Sequence, residues 1–158
     1  MQRAAIIGTK VAIVLLFLVT VFVQFVWVPV LAFDTARVWP EYSWLTWPGI
    51  VGVGLAVLCI QFVLVCIWKL LPMTQTNQIF DGSAFPWVDR MIKAGIVFCV
   101  LTLAGGVLLV FAGALHPSLL ILGILMLSFG GGMTLLLVLM RGLLVRASDL
   151  SQEMAEVI

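Results

Sequence analysis

Between Val11 and Phe33, and again between Ala94 and Leu115, the chain contains no Asp, Glu, Lys, Arg or His. Each stretch supplies the roughly 20 apolar residues that a helix needs to cross about 30 Å of hydrocarbon. Two further runs, 49–71 and 118–140, are equally apolar apart from Lys69 near one end. A helix that is apolar on every face has no side to turn to water, so lipid must surround it. Composition agrees: 64% of residues are apolar and 9% charged, against about 25% charged in a soluble domain. The sequence therefore predicts an all-α integral membrane protein. Four transmembrane helices at about 11–33, 49–71, 94–115 and 118–140 form one four-helix bundle domain over 1–158.

Charge orients these spans. Arg3, Lys10, Lys69, Arg90, Lys93, Arg141 and Arg146 fall on the side shared by both termini, and only Arg37 falls on the other. The positive-inside bias then places both termini in the cytoplasm. The net charge of +1 is spread along the membrane edge and not gathered in a patch, so no direct nucleic-acid contact is expected. The first span follows Arg3 and Lys10 as a secretory signal would, with Val30, Leu31 and Ala32 as a loose cleavage site. Its length exceeds the roughly 7 to 15 residues of a signal core, so it is expected to remain as a span.

The first outer connection, Asp34 to Pro48, gathers Trp39, Tyr42, Trp44 and Trp47. Rings at such a position fit an aromatic belt anchoring helix ends in the headgroup layer. They also fit a shallow surface for a lipophilic or cationic ligand. The inner loop, Pro72 to Lys93, turns at Asp81 and Gly82, and Ser83 with Pro86 marks a helix start. Its Ile79, Phe80, Phe85 and Trp87 suit an interfacial elbow or a surface for a protein partner.

Few polar residues lie inside the spans. Gln24 and Gln61 fall at similar depths, and with Thr102 and Ser128 they make a candidate intramembrane polar layer. Interhelical hydrogen bonding accounts for such amides, and gripping a substrate is the alternative. Only His116 and Pro117 separate the third and fourth spans, a tight hairpin that brings Gly105 and Gly106 opposite Gly130, Gly131 and Gly132. These glycines are candidate helix-packing residues, and the run of three also offers a hinge.

No acid or base lies deep in a span, which argues against ion-coupled transport. Cys59, Cys66 and Cys99 have no C-x-x-C spacing and no histidine beside them in a span, so they read as small apolar residues. No nucleophile elbow, zincin, P-loop or dinucleotide motif occurs, and no catalytic residue, cofactor or metal is predicted.

The tail closes the chain with Leu143, Ala147, Leu150, Met154 and Val157, spaced four, three, four and three. That pattern is one stripe of a helix continuing past the fourth span. Asp149, Glu153 and Glu156 lie beside it, and their charge disfavours an anionic lipid surface. The segment 141–158 is thus expected to be a cytoplasmic amphipathic helix whose stripe docks a protein.

The order of short motifs supports a resemblance. Val28-Pro29-Val30, Trp39-Pro40, Trp47-Pro48-Gly49-Ile50, Ile79-Phe80-Asp81-Gly82 and Arg141-Gly142-Leu143-Leu144 resemble domain-of-unknown-function family 2975 over nearly the whole chain. The resemblance implies a bacterial four-pass protein of the cytoplasmic membrane, whose gene often neighbours a small helix-turn-helix regulator. It implies no catalytic residues. The leading expectation is a non-enzymatic sensor or regulatory partner of a cytoplasmic protein, with a homo-oligomer also compatible. The alternative is a small permease, or a transporter or channel subunit, for a lipophilic or neutral solute.

Overall fold

A computed structural model describes the backbone of residues 2–73 and 85–156, and the side chains of residues 6–72 and 85–147. The expected turn and cap at Asp81, Gly82 and Ser83, the apolar Ile79 and Phe80, and Val157 lie outside the described residues. Those described hold four helices long and apolar enough to cross a membrane, and no strand.

The first span is longer than the expected 11–33. It runs as α1 (Gln2–Phe22), a π-helical turn (Val23–Trp27) and α2 (Val28–Val38). Pro29 explains the widened turn: it donates no backbone hydrogen bond, and its ring crowds the carbonyl four residues back, at Phe25. The wider turn is closed by the Val28 N–H donating to the Val23 carbonyl. Trp39 leaves helical geometry, and a short 3-10 turn (Pro40–Leu45) leads directly into α3 (Thr46–Met73).

The third span begins at Phe85, with Pro86 in its first turn, and ends at Phe111 (α4, Phe85–Phe111). That end is four residues earlier than the sequence suggested. Gly113 is the cause, adopting φ +66°, which side-chain-bearing residues resist. Around it the Gly113 N–H donates to the Val110 carbonyl and the Ala114 N–H to the Leu109 carbonyl, both at 3.1 Å. This pair of bonds is a Schellman termination. The connection is therefore the five residues 112–116, not the two-residue turn at His116 and Pro117. His116 caps the next helix: its carbonyl accepts from the Leu119 and Leu120 N–H groups, and its Nδ1 accepts from the Ser118 N–H at 3.4 Å. From Pro117, α5 continues unbroken to Glu156 (Pro117–Glu156), so the expected helical extension is one piece with the fourth span.

The helices do not close into the expected bundle. The first span packs on α3, α3 on α4, and α4 on α5, while the first span and α5 make no contact among the described residues. The result is an open row with α5 at one end. Ile13, Cys66, Val88, Met91 and Ala94 are the buried apolar side chains among the described residues. Lipid removes the need for a dry core, because hydrocarbon is as apolar as leucine. It leaves contact between helices to small residues and polar pairs.

Candidate functional site

Where the first span meets α3, the π-helical turn projects Gln24 toward α3. Gln61 Nε2 donates to Gln24 Oε1 at 3.0 Å and lies 3.5 Å from Thr20 Oγ1. Gln24 Nε2 in turn donates to the Gly54 carbonyl at 3.4 Å. Gln61 is only 6% exposed, so its amide has little access to any partner outside this cluster. The depth argument that paired Gln24 with Gln61 corresponds to a direct contact.

Thr102 and Ser128 do not belong to this layer. Thr102 Oγ1 donates to the Phe98 carbonyl of its own helix at 2.8 Å, satisfying itself without crossing a helix boundary. Ser128 is exposed on α5, in a shallow apolar hollow with Leu125, Met126 and Phe129. Thr20 and the Gly54 carbonyl take their places.

Each amide hydrogen bond across helices in a membrane contributes on the order of 0.6 kcal/mol and seldom more than 2. A double-mutant cycle of Gln24→Leu and Gln61→Leu, read by unfolding in detergent, should give a coupling energy of about that size. Coupling indistinguishable from zero would contradict the contact.

Between α4 and α5 the close approach occurs at Gly95 and Gly130. A Cβ built on Gly95 would stand 2.2 Å from Thr134 Oγ1, and one on Gly130 would stand 2.7 Å from the Phe98 ring. Thr134 Oγ1 donates to the Gly130 carbonyl at 2.7 Å, fixing it against Gly95. Gly105, Gly106, Gly131 and Gly132, expected to pack, have nothing within 4 Å of an added Cβ. Gly131 and Gly132 are turned from Gly130 by about 100° and 200° around α5, away from α4. Gly106 shares the face of Gly95 but lies about 16 Å farther along α4, where no atom of α5 reaches it.

An ion pair closes the same seam on the side of the termini. Arg141 Nε donates to Asp89 Oδ1 at 2.5 Å and Arg141 Nη2 to Asp89 Oδ2 at 3.3 Å. The side chains are 42% and 40% exposed, which keeps the pair among the weak, solvent-screened kind despite its two-pronged geometry. Its effect is positional: it fastens α5 to α4 where α5 leaves the apolar stretch. Sequence reasoning missed it, although opposite charges at matched ends of neighbouring spans were the available signal. Nearby, Lys10 lies 5.6 Å from the Trp68 ring, tying the first span to α3, and Arg90 lies 4.6 Å from the Trp87 ring.

On the opposite side, Trp39, Trp44 and Trp47 are exposed, as an interfacial belt requires. Trp47 meets Phe33 edge-to-face at 6.5 Å, and the Tyr42 hydroxyl donates to the Gly113 carbonyl at 3.4 Å. That bond joins the two outer connections. The rings do not gather into a cage. Cys59, Cys66 and Cys99 are all free thiols, and no metal-binding cluster occurs among the described residues. In the docking stripe, Leu143 and Ala147 are exposed, while the side chains of Leu150 and Met154 are outside the described set.

Among the described residues the structure thus offers a satisfied polar clasp, a tight glycine seam and a projecting helix. No curated protein matches the chain, and no solved structure does. A family model described as "Protein of unknown function (DUF2975)" matches residues 30–158. This range takes in most of α2, the aromatic connection, the glycine seam and the whole of α5, and the chain, with its four helices long and apolar enough to cross a membrane, is a member of the DUF2975 family.

Proposed function

We propose that this protein is a non-enzymatic sensor or regulatory partner in the bacterial cytoplasmic membrane. Both termini face the cytoplasm, and the α5 extension docks a cytoplasmic protein. The helix-turn-helix regulator implied by the family resemblance is the candidate partner. The observation that carries this reading is the continuity of α5 from Pro117 to Glu156. At 1.5 Å per residue it is about 60 Å long, twice the thickness of the hydrocarbon layer. Arg141 marks the end of the apolar stretch, so roughly 20 Å of helix stands beyond it. A rigid arm of that length holds the stripe of Leu143, Ala147, Leu150 and Met154 at a set distance from the membrane, and α4 orients it through the Asp89–Arg141 pair.

The permease alternative has less support. Gln24 and Gln61 direct their hydrogen bonds at each other and at Gly54, leaving little for a passing solute. Among the described residues, an open row of helices also encloses no path within one copy. The test is binding of the purified regulator to the chain in nanodiscs. The parent should bind, and the Leu150→Glu, Met154→Glu double variant should not. Equal binding by both would remove the docking role from the stripe.

A further inference from the structure

At the end of the row, α5 is covered among the described residues by α4, and the contacts fall at Gly130, Thr134 and Arg141. One residue earlier at each step, hence rotated by about 100°, runs a second face. Met126, Phe129, Met133, Leu136, Met140 and Leu143 occupy it at alternating spacings of three and four, each 43–71% exposed. Leu119 and Leu122 extend the pattern at one end, and Ala147, Leu150 and Met154 extend it at the other. This is an unbroken heptad seam with leucine or phenylalanine at every second position from Leu122 to Leu150.

We propose that this seam pairs with the same seam of a second copy, forming a parallel two-stranded coiled coil that starts in the membrane and continues through the extension. Within the membrane every face of α5 is apolar, so the decisive segment lies beyond Arg141. There Arg146, Asp149, Gln152, Glu153 and Glu156 all fall off the seam, and no charge falls on it. The bilayer supplies the rest of the specificity, since two copies inserted alike have their α5 helices parallel and at the same depth. In-register pairing then costs no search over orientation. Within the membrane the gain is side-chain packing between the two seams, and beyond Arg141 pairing also removes apolar surface from water. The seam is also continuous with the α4 contact: Phe129, Met133 and Met140 stand next to Gly130, Thr134 and Arg141, which meet α4, so a second α5 would nest beside α4 instead of replacing it. Pairing needs no cytoplasmic protein and goes beyond the docking role proposed above. Docking on the extension competes with pairing below the membrane, which makes self-association a means of regulating it.

Disulfide cross-linking in membrane vesicles, with no cytoplasmic protein present, tests the proposal. Leu136→Cys and Leu143→Cys lie on the seam, whereas Val138→Cys is exposed on another face, and the parent with its three native cysteines sets the background. Seam variants should form covalent dimers at least about fivefold more efficiently than Val138→Cys. Equal cross-linking at all three positions would overturn the proposal. Photobleaching of the labelled parent in sparsely loaded liposomes gives an independent reading: two steps per spot support pairing, and single steps at every protein-to-lipid ratio exclude it. Neither result depends on whether a regulator binds.

Discussion

Gly95→Leu and Gly130→Leu should each lower the melting temperature in detergent by roughly 2 to 12 °C, while Gly106→Leu and Gly131→Leu should melt with the parent. At Gly95 an added Cβ would meet the Thr134 side chain, with Oγ1 at 2.2 Å and Cβ at 3.2 Å. Turning Thr134 away relieves only the first contact, and it breaks the bond to the Gly130 carbonyl. At Gly130 the obstacle is the Phe98 ring, with two atoms within 2.8 Å. Overpacking of this kind costs about 1–3 kcal/mol, and each kcal/mol shifts melting by about 2–4 °C in a chain of this size. Thermal unfolding of the four variants side by side checks the expectation. If Gly106→Leu and Gly131→Leu are the destabilised pair, the α4–α5 seam is misplaced.

The Leu150→Glu, Met154→Glu double variant should weaken regulator binding by about two to four orders of magnitude. Burying each apolar side chain in a partner groove contributes roughly 1.5–3 kcal/mol, and every 1.4 kcal/mol is about tenfold in affinity. Introduced carboxylates add a desolvation penalty, so the estimate is a lower one. Both positions lie on the helical extension, past the apolar stretch that anchors the chain, and the variant should insert normally. Titration of the regulator against nanodisc-embedded parent and variant gives the two dissociation constants. A change of less than threefold would place docking elsewhere. The seam positions Leu136 and Met140, farther into α5, separate loss of pairing from loss of docking.

Matching depth along the spans was enough to bring Gln24 to Gln61, because long amide side chains tolerate errors of an ångström or two in rise and in rotation. The same reasoning found Gly130 but failed for Gly105, Gly106, Gly131 and Gly132. A contact without a side chain requires the correct face of both helices, and depth carries no information about rotation. Thr102 and Ser128 were drawn into the polar layer on depth alone, yet a hydroxyl can satisfy itself on its own helix, as Thr102 does. Span existence was legible from hydropathy. Helix ends were less so: the stop at Phe111 follows from one left-handed glycine, Gly113, which sequence alone did not distinguish from its neighbours. The continuation of α5 to Glu156 was legible because the four-three spacing of Leu143, Ala147, Leu150 and Met154 persists after the membrane stretch ends. Closure of the bundle was not legible, since lipid-facing and helix-facing residues are alike in composition.

Docking in the cytoplasm depends on where the termini lie, so topology is the most direct test. Reporters active only in the cytoplasm or only outside it, fused after Ile158 and inserted in the 3-10 turn at Pro40–Leu45, read the two sides of the membrane. Seven of the eight basic residues lie on the side of the termini, which predicts a cytoplasmic signal from the Ile158 fusion and an external one from the turn. An external signal from the Ile158 fusion, or the same signal from both sites, would contradict the account.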